Sequence, residues 1–250
     1  MKPAPANCCR LEWDSEFFGF PIARLDDPTP SAEAIASVLQ WAAEDGIACL
    51  YFEAPAGSTE TIRLAEQNGF QLVDVRLVLS LETLDRAKDT AADTSITVRS
   101  MAERDLEPLK EIAGTVFTNT RYYADQGFSR ARCAELYRVW LEKSYRDREQ
   151  HVLVAETQGR PAGFVTLQVE SDTGRIGLFG AAADAQGKGL GQALLADAAS
   201  WFTGKGLKRV VTVTQGRSVA AQRVYQRAGF VTDRVSLYYH RWFRASCGER

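Results

Sequence analysis

The residues with the clearest chemical potential form a glycine-rich stretch, Gln186-Gly187-Lys188-Gly189-Leu190-Gly191, which we call the glycine loop. Three glycines within five positions let the backbone approach a ligand and turn its N–H groups to one side. An apolar pattern beginning at the last of these glycines predicts a helix over 191–202, whose N-terminal end adds positive potential. The stretch therefore predicts an anion site suited to a pyrophosphate.

Two better-known phosphate-binding patterns do not describe this loop. The sequence has no G-x-x-x-x-G-K-[ST], and Gln192 occupies the position where a dinucleotide-binding loop carries its third glycine. The pattern that remains, [Q/R]-x-x-G-x-[G/A], is short enough to arise by accident, and then it is only a flexible turn. The elements on either side must decide between the two interpretations.

Hydrophobic periodicity places the glycine loop between a strand and a helix. Strands are predicted at 96–99, 152–156, 162–170, 175–182, 207–214 and 231–243, and helices at 103–117, 130–144, 191–202 and 219–227. Gly177 and Gly180 fall inside the strand over 175–182. Glycine inside a strand indicates a β-bulge or the close approach of a ligand to the backbone, and the alternative is an ordinary strand of poor propensity.

This β–α–α–β–β–β–α–β–α–β order over 96–243, with the glycine loop ahead of the third helix, resembles the GNAT (Gcn5-related N-acetyltransferase) superfamily. The resemblance implies an α/β fold around a mixed, mainly antiparallel sheet. It also implies acetyl-CoA as the co-substrate, with its pyrophosphate on the glycine loop and its pantetheine in a gap between two splayed strands. No metal is expected.

The resemblance assigns further roles. Tyr225, followed by Gly229-Phe230, stands where many members carry a tyrosine that protonates the departing thiolate; the alternative is a packed aromatic side chain. Leu178, Phe179, Gly180 and Ala181 are expected to offer backbone groups to the pantetheine and to the developing oxyanion. Ser218 replaces an asparagine that contacts CoA in many members, and its alternative role is the N-cap of the next helix.

The proton acceptor and the amine site are less defined. Glu170, Asp172 and a chain of water molecules are the alternatives for the general base. Acceptor contacts are expected from the N-terminal aromatic side chains and from the loop over 118–129, where Arg121 would pair with a nucleotide pyrophosphate and Tyr122 or Tyr123 would stack on a base or sugar. The alternative is a solvated Arg121 beside half-buried tyrosines. His151 and His240 are interpreted as structural.

Further segments resemble two-domain GNAT enzymes that acetylate the 4-amino group of a dTDP-linked 4-amino-4,6-dideoxygalactose in enterobacterial common antigen synthesis. The segments are Leu11-Glu12-Trp13-Asp14-Ser15-Glu16-Phe17-Phe18-Gly19, Thr120-Arg121-Tyr122-Tyr123-Ala124-Asp125, Leu136-Tyr137-Arg138-Val139-Trp140 and Arg175-Ile176-Gly177-Leu178. The resemblance implies a nucleotide-linked amino sugar as acceptor. A different small amine, an aminoglycoside or a protein amine is the second interpretation, and a non-catalytic acyl-CoA-binding module is the third.

The length of 250 residues suits one large domain or two small ones. We expect an N-terminal α/β domain over 1–90, a linker over 85–95 and the GNAT domain over 96–250. Eight residues recur identically 160 positions later, which indicates either a duplicated unit or a shared helix–strand pattern. They are Trp41, Gly46, Ser58, Arg63, Gly69, Phe70, Val75 and Leu77. At the same shift, the N-terminal copy has Ala65 where the C-terminal copy has Tyr225. Because the N-terminal copy lacks this tyrosine, we expect the chemistry in the C-terminal half.

Composition limits the binding partners and the cellular location that we expect for the protein. A net charge of −2 argues against a strongly basic nucleic-acid binder. The five scattered cysteines, without a C-x-x-C, fit reduced thiols, and no apolar run reaches membrane-spanning length. We expect a cytoplasmic enzyme without nucleic-acid or membrane partners, and a homodimer is left open.

Overall fold

The computed structural model describes residues 3–82 and 95–243. The strands are β1 (Cys8–Arg10), β2 (Ile22–Leu25), β3 (Cys49–Pro55), β4 (Gln71–Leu81), β5 (Ile96–Ser100), β6 (Gln150–Thr157), β7 (Arg160–Glu170), β8 (Thr173–Ala181), β9 (Arg209–Gln215) and β10 (Val231–Trp242). The helices are α1 (Glu12–Phe18), α2 (Ala32–Glu44), α3 (Thr59–Gln67), α4 (Leu106–Val116), α5 (Arg121–Ala124), α6 (Arg130–Arg146), α7 (Leu190–Gly204) and α8 (Val219–Arg227).

The chain forms two compact units, each assembled from more than one segment. Unit 1 comprises Met1–Arg76, Thr120–Arg132 and Val235–Arg250, and unit 2 comprises Leu77–Asn119 and Cys133–Arg234. These limits do not coincide with the predicted domains over 1–90 and 96–250. The domain division therefore stays a prediction. The predicted linker over 85–95 lies, except for its last residue, outside the described part of the chain.

Unit 1 contains the neighbouring strands β1, β2, β3 and β10. β1 pairs antiparallel with β2, β2 parallel with β3, and β3 antiparallel with β10, with Glu53 opposite Tyr238. β10 belongs to this unit from Val235 onward, where Ser236 to Trp242 pair with β3, and its first four residues, 231–234, belong to unit 2. Helix α2 packs Ile35, Val38 and Trp41 into the core of the unit, as its apolar spacing predicts.

Unit 2 contains the strand order β9-β8-β7-β6-β5. The pairs β5–β6, β6–β7 and β7–β8 are antiparallel and β8–β9 is parallel, so this sheet is mixed and mainly antiparallel as expected. Helix α7 covers it with a buried apolar face that includes Leu190, Leu194, Leu195, Ala198 and Phe202. Burial of this face fixes the start of α7, which is where the glycine loop ends.

Some elements differ from the sequence-based expectation. No element was predicted over 11–25, but α1 and β2 form there, and α1 stops at Gly19 with a φ of 80°. The expected acceptor loop over 118–129 contains the short helix α5. The helix predicted from residue 103 begins at Leu106, after a 3₁₀ turn over Glu103–Asp105. Aromatic-rich and very short segments carry too little periodicity to be recognised.

The repeat seen in the sequence extends to the element boundaries. Shifted by 160 positions, β3 and α3 acquire the bounds of β9 and α8, and β4 begins where β10 begins. The turn glycines of the two copies, Gly69 and Gly229, have φ values of 76° and 91°. This correspondence favours the duplicated-unit interpretation over a chance likeness.

Four cysteines in the described residues are free thiols: Cys8, Cys9, Cys49 and Cys133. Cys247 lies outside the described part of the chain. Burial raises the pKa of the Cys8 thiol to about 12, which keeps this thiol protonated and unreactive at neutral pH. Across residues 3–82 and 95–243, no helix is both long enough and apolar enough to span a membrane.

Candidate active site

A gap between two parallel strands is the central feature of unit 2. The register of β8 and β9 runs from Thr173 opposite Arg209 to Ile176 opposite Thr212 and ends there. Both strands continue, β8 to Ala181 and β9 to Gln215. Because backbone N–H and C=O groups need partners, two strand edges that part in this way form a place where an extended ligand can bind.

A β-bulge lies where the gap opens, as the glycine in this strand predicted. Val165 is opposite Phe179 and Leu167 is opposite Ile176, so Gly177 and Leu178 of β8 face Thr166 alone. A Cβ atom on Gly177 would lie 2.7 Å from Thr166 Oγ1. Only glycine therefore leaves room for this hydroxyl against the bulge.

The bulge sets the direction of the backbone amides in β8. Thr166 Oγ1 accepts a hydrogen bond from Leu178 N–H at 2.8 Å, so this amide points toward β7. Successive amides of a strand point to opposite edges, and the Phe179 N–H consequently points toward the gap. Of the four residues from Leu178 to Ala181 that the sequence grouped together, Leu178 thus directs its amide to β7 and Phe179 directs its amide to the gap.

The glycine loop leads from the end of β8 into α7. Gly187 and Gly189 have φ values of 76° and 81°, which side-chain-bearing residues rarely adopt. Among the described residues, a Cβ on Gly187 would have no neighbour within 4 Å, and one on Gly189 would meet only Ile96 Cδ1, at 3.9 Å. The space over these glycines is open, as the approach of a ligand requires.

The loop also ends at a helix N-terminus. Gly189 is the N-cap of α7, and its carbonyl accepts from Gln192 N–H and Ala193 N–H. The amides just ahead of these two have no helical carbonyl four residues earlier, which is the usual basis of anion binding at this position. Gln186 Nε2 donates to Ala181 O at 3.1 Å and ties the loop to β8. Lys188 is exposed on the loop.

A glycine is needed at position 191, the third glycine of the motif, for a different physical reason. A Cβ at this position would lie 3.0 Å from Val224 Cγ1 and 3.2 Å from Phe179 Cζ. Gln192 Nε2 also bonds to Val224 O at 2.8 Å, which joins α7 to α8. Gly191 therefore permits close packing of α7, a role that the sequence did not reveal.

Tyr225 on α8 is buried close to the point where the gap opens. Its exposure is 2%, and its ring centroid is 5.3 Å from those of both Phe179 and Phe230. Its hydroxyl lies 3.2 Å from Thr212 Oγ1, at the last paired residue of β9. Burial raises the pKa of the Tyr225 phenol well above its usual value, although the bond to Thr212 lowers it. The tyrosine thus stays protonated.

Ser218 occupies the N-cap position of α8, where its carbonyl accepts from Gln222 N–H at 3.0 Å, but its side chain does not cap the helix as the alternative interpretation expected. Its hydroxyl makes no capping bond to α8 and instead lies 3.4 Å from Gln215 Oε1. Gln222 Nε2 secures the turn by donating to Gln215 O and Gly216 O at 2.9 and 3.0 Å. The Ser218 side chain is therefore not committed to the helix terminus.

The two carboxylates considered as the general base lie at the other end of β8. Glu170 is opposite Thr173 at the hairpin turn and forms an ion pair with Arg175 at 2.7 Å. Asp172 follows in the same turn and accepts from Thr173 Oγ1. The β8–β9 register ends only at Ile176, so the structure does not place either carboxylate in the gap.

Arg121, Tyr122 and Tyr123 all lie on α5 in unit 1. The Arg121 guanidinium carbon is 4.2, 4.3 and 4.4 Å from the ring centroids of Tyr51, Tyr122 and Tyr238. Its Nη2 also donates to Tyr122 Oη at 2.5 Å. Arg121 is thus enclosed by aromatic rings, not solvated as in the alternative interpretation, and Tyr122 is only 2% exposed.

His240 and Asp125, also in unit 1, hold this arginine in place. His240 Nδ1 lies 2.6 Å from Asp125 Oδ2, and Arg121 Nη1 lies 3.2 Å from His240 Nε2. Arginine can only donate, so Nε2 accepts and the ring proton resides on Nδ1. Burial lowers the pKa of His240 to about 4, and Asp125 only partly opposes this shift. The imidazole is therefore neutral and structural, as interpreted from the sequence.

Comparison with known protein families agrees with this geometry. Residues 120–230 match the family model described as Acetyltransferase (GNAT) family. The crystal structure of a GCN5-related N-acetyltransferase from Sphaerobacter thermophilus superposes with a TM-score of 0.71 at 19% identity, covering 97% of this chain and 78% of that one. The chain has the α/β GNAT fold, which confirms the fold expected from the sequence.

Two curated relatives indicate the range of related functions. The spore coat polysaccharide biosynthesis protein SpsD of Bacillus subtilis (strain 168) is 28% identical over 138 residues, covering 55% of this chain and 48% of that protein. The mycothiol acetyltransferase of Stackebrandtia nassauensis is 28% identical over 190 residues, covering 71% and 58%. The chain thus spans about half the length of these relatives.

Proposed function

Because the fold, the family model and the solved structures support a GNAT-superfamily acetyltransferase, we propose that this chain transfers an acetyl group from acetyl-CoA to the amine of a nucleotide-linked amino sugar. One observation carries the proposal. The β8–β9 register ends at Ile176 and Thr212, and β8 then leads into an open glycine loop at the start of α7. A strand edge followed by an anion site suits a molecule that carries a pantetheine arm and a pyrophosphate.

Each part of the site has a role in binding acetyl-CoA, which supplies the activated acetyl group. The amides of the glycine loop and of the first turn of α7 bind the pyrophosphate. The edge of β8 from Leu178 to Ala181 binds the pantetheine arm, and Ser218 makes a further contact. Phe179 N–H donates to the carbonyl oxygen of the thioester as negative charge develops there. Leu178 N–H cannot share this role while Thr166 accepts it.

Tyr225 is the general acid in this proposal. Its raised pKa keeps the phenol protonated, so that a proton is available for the sulfur as the C–S bond breaks. The acceptor must attack as a free amine, and its proton leaves through water because neither Glu170 nor Asp172 lies in the gap. A packed aromatic side chain is the competing role for Tyr225, and the kcat of Tyr225→Phe decides between the two roles.

The acceptor is proposed from chemistry and from relatives. The sequence resembles dTDP-fucosamine acetyltransferase of enterobacterial common antigen synthesis, and one relative is named for polysaccharide biosynthesis. Burial opposes the charge of Arg121, but the surrounding tyrosines and Asp14 raise the pKa of its guanidinium. To bind the nucleotide phosphates, its Nη1 and Nη2 would exchange their present bonds to His240 and Tyr122 for bonds to phosphate oxygens. Tyr122 is buried, so stacking on the base or sugar falls to Tyr123. Other small amines are the second candidate, because several relatives are mycothiol acetyltransferases.

The proposal is tested by measuring release of free CoA thiol with a panel of acceptors. The panel contains dTDP- and UDP-linked amino sugars, a mycothiol-type amine precursor, an aminoglycoside, a polyamine and a lysine peptide. We expect the highest kcat/KM with a nucleotide amino sugar, and a KM for that substrate that rises in Arg121→Met. Preference for another amine would exclude the sugar nucleotide. Binding of acetyl-CoA without transfer to any amine would favour the acyl-CoA-binding module.

A further inference from the structure

Thr212 joins the catalytic tyrosine to the point where the two strands part. Its side chain is fully buried, and it is the last residue of β9 in register with β8. Thr212 Oγ1 lies 3.2 Å from Ile176 O and 3.2 Å from Tyr225 Oη. A single hydroxyl thus connects the two strands to the general acid.

The protons of these three groups can be assigned from their chemistry. Thr212 carries one hydroxyl proton, and the Ile176 carbonyl can only accept. Thr212 Oγ1 can therefore donate to Ile176 O or to Tyr225 Oη but not to both at once, and while it donates to Ile176 O the Tyr225 hydroxyl can donate to Thr212 Oγ1. While Thr212 donates to Ile176 O, the Tyr225 proton is hydrogen-bonded to Thr212 Oγ1, and a phenolate formed in that arrangement would lack the Thr212 donor.

We propose that Thr212 is a positioning residue whose hydroxyl changes partner during the reaction. As the C–S bond breaks, its electron pair goes to sulfur and Tyr225 gives its proton to that sulfur. Thr212 then turns its O–H from Ile176 O to the Tyr225 oxygen and stabilises the phenolate. The acceptor nitrogen loses one proton to water, and the phenolate regains one from water. This inference rests on the proposed function and adds a residue to its mechanism.

Three variants of β9 test the proposal. Thr212→Val removes the hydroxyl at nearly constant shape, Thr212→Ser keeps it, and Thr214→Val is the matched control because Thr214 is also buried and shares the same face of the strand. A hydrogen bond to a charged oxygen is the stronger kind, so kcat should fall about 10- to 100-fold in Thr212→Val. The KM for acetyl-CoA should change less than about threefold, and Thr212→Ser and Thr214→Val should retain wild-type kcat.

Combination with Tyr225→Phe separates positioning from simple packing. If Thr212 acts through the tyrosine, adding Thr212→Val to Tyr225→Phe should cause no further loss of kcat. The same pair is measured by urea unfolding without acetyl-CoA, where the two shifts in midpoint should be less than additive because both variants break one hydrogen bond. This second readout does not depend on activity and stays accessible if Thr212→Val weakens the fold.

Several results would overturn the proposal. Retention of more than half of kcat in Thr212→Val would do so, as would independent, multiplicative losses in the double variant or failure of Thr212→Ser to restore kcat. A wild-type protein that transfers acetyl to no amine would overturn the proposed function itself. An active wild type with an unaffected Thr212→Val variant would overturn only the role of Thr212.

Discussion

Replacing Gly189 by alanine tests the glycine loop, and the chain provides a matched control in Gly206. The two glycines have nearly the same backbone angle, φ 81° and 79°. Within residues 3–82 and 95–243, a Cβ on Gly206 has no neighbour within 4 Å, and one on Gly189 meets only Ile96 Cδ1, at 3.9 Å. Neither alanine would clash inside the protein, so both variants introduce the same backbone strain and little else.

The expected magnitudes follow from this match. An alanine in the left-handed region costs about 1–2 kcal/mol, so urea unfolding should show a similar loss of stability in both variants. Only at position 189 would the new methyl group stand where the pyrophosphate approaches the loop. Acetyl-CoA affinity, measured by isothermal titration, should therefore fall at least about tenfold in Gly189→Ala, or about 1.4 kcal/mol. It should stay near the wild-type value in Gly206→Ala.

Two possible results of this experiment would refute the proposed role of the glycine loop. Equal, wild-type affinity in both variants would remove the glycine loop from the acetyl-CoA site. Equal losses of affinity would mean that strain anywhere in unit 2 weakens binding, and the loop would then have no specific role. Only a loss confined to Gly189→Ala, with matched changes in stability, supports backbone recognition of the pyrophosphate.

Two further predictions concern single side chains. Tyr225→Phe should lower kcat about 100-fold and change acetyl-CoA affinity by less than about threefold, and a kcat above half of wild type would leave Tyr225 with packing alone. His240 has a pKa of about 4 in the fold and about 6.5 when unfolded. Its contribution is complete above pH 6.5 and is lost as the pH falls toward 4, by about 3 kcal/mol in urea unfolding. His240→Gln should flatten this slope, and an unchanged slope would contradict the assignment.

The sequence predicted best where local signals and the fold agree. The helix over 219–227 forms with the predicted bounds, because a polar turn precedes it and Gly229 ends it with a positive φ. The bulge in β8 was also predicted, since glycine weakens a strand interior and is favoured there mainly at bulges and close backbone approaches. In both cases, a residue type that tolerates an unusual backbone marks the place where regular structure changes.

Contacts between distant parts of the chain could not be predicted in this way. Arg121 meets His240 across 119 positions, and no local pattern announces that pairing. Thr212 is one β-branched residue among several in β9, and its role depends on Ile176 and Tyr225, which belong to other elements. Gly191 was assigned to ligand binding, but the Cβ contact with Val224 shows that packing also requires it.

The repeated half of the chain yields a last prediction about stoichiometry. The 160-residue shift places Asp26 to Ser31 opposite the glycine loop. Here Asp27 Oδ1 accepts from Thr29 N–H at 3.0 Å, and Ser31 caps the next helix by accepting from Ala34 N–H at 3.2 Å. The negative charges of Asp26 and Asp27 would repel a pyrophosphate, and Ser31 already occupies the helix N-terminus. The N-terminal copy therefore has the same elements but no anion site. Isothermal titration should therefore give one acetyl-CoA per chain, and two sites of similar affinity would show that carboxylates in this loop do not prevent binding.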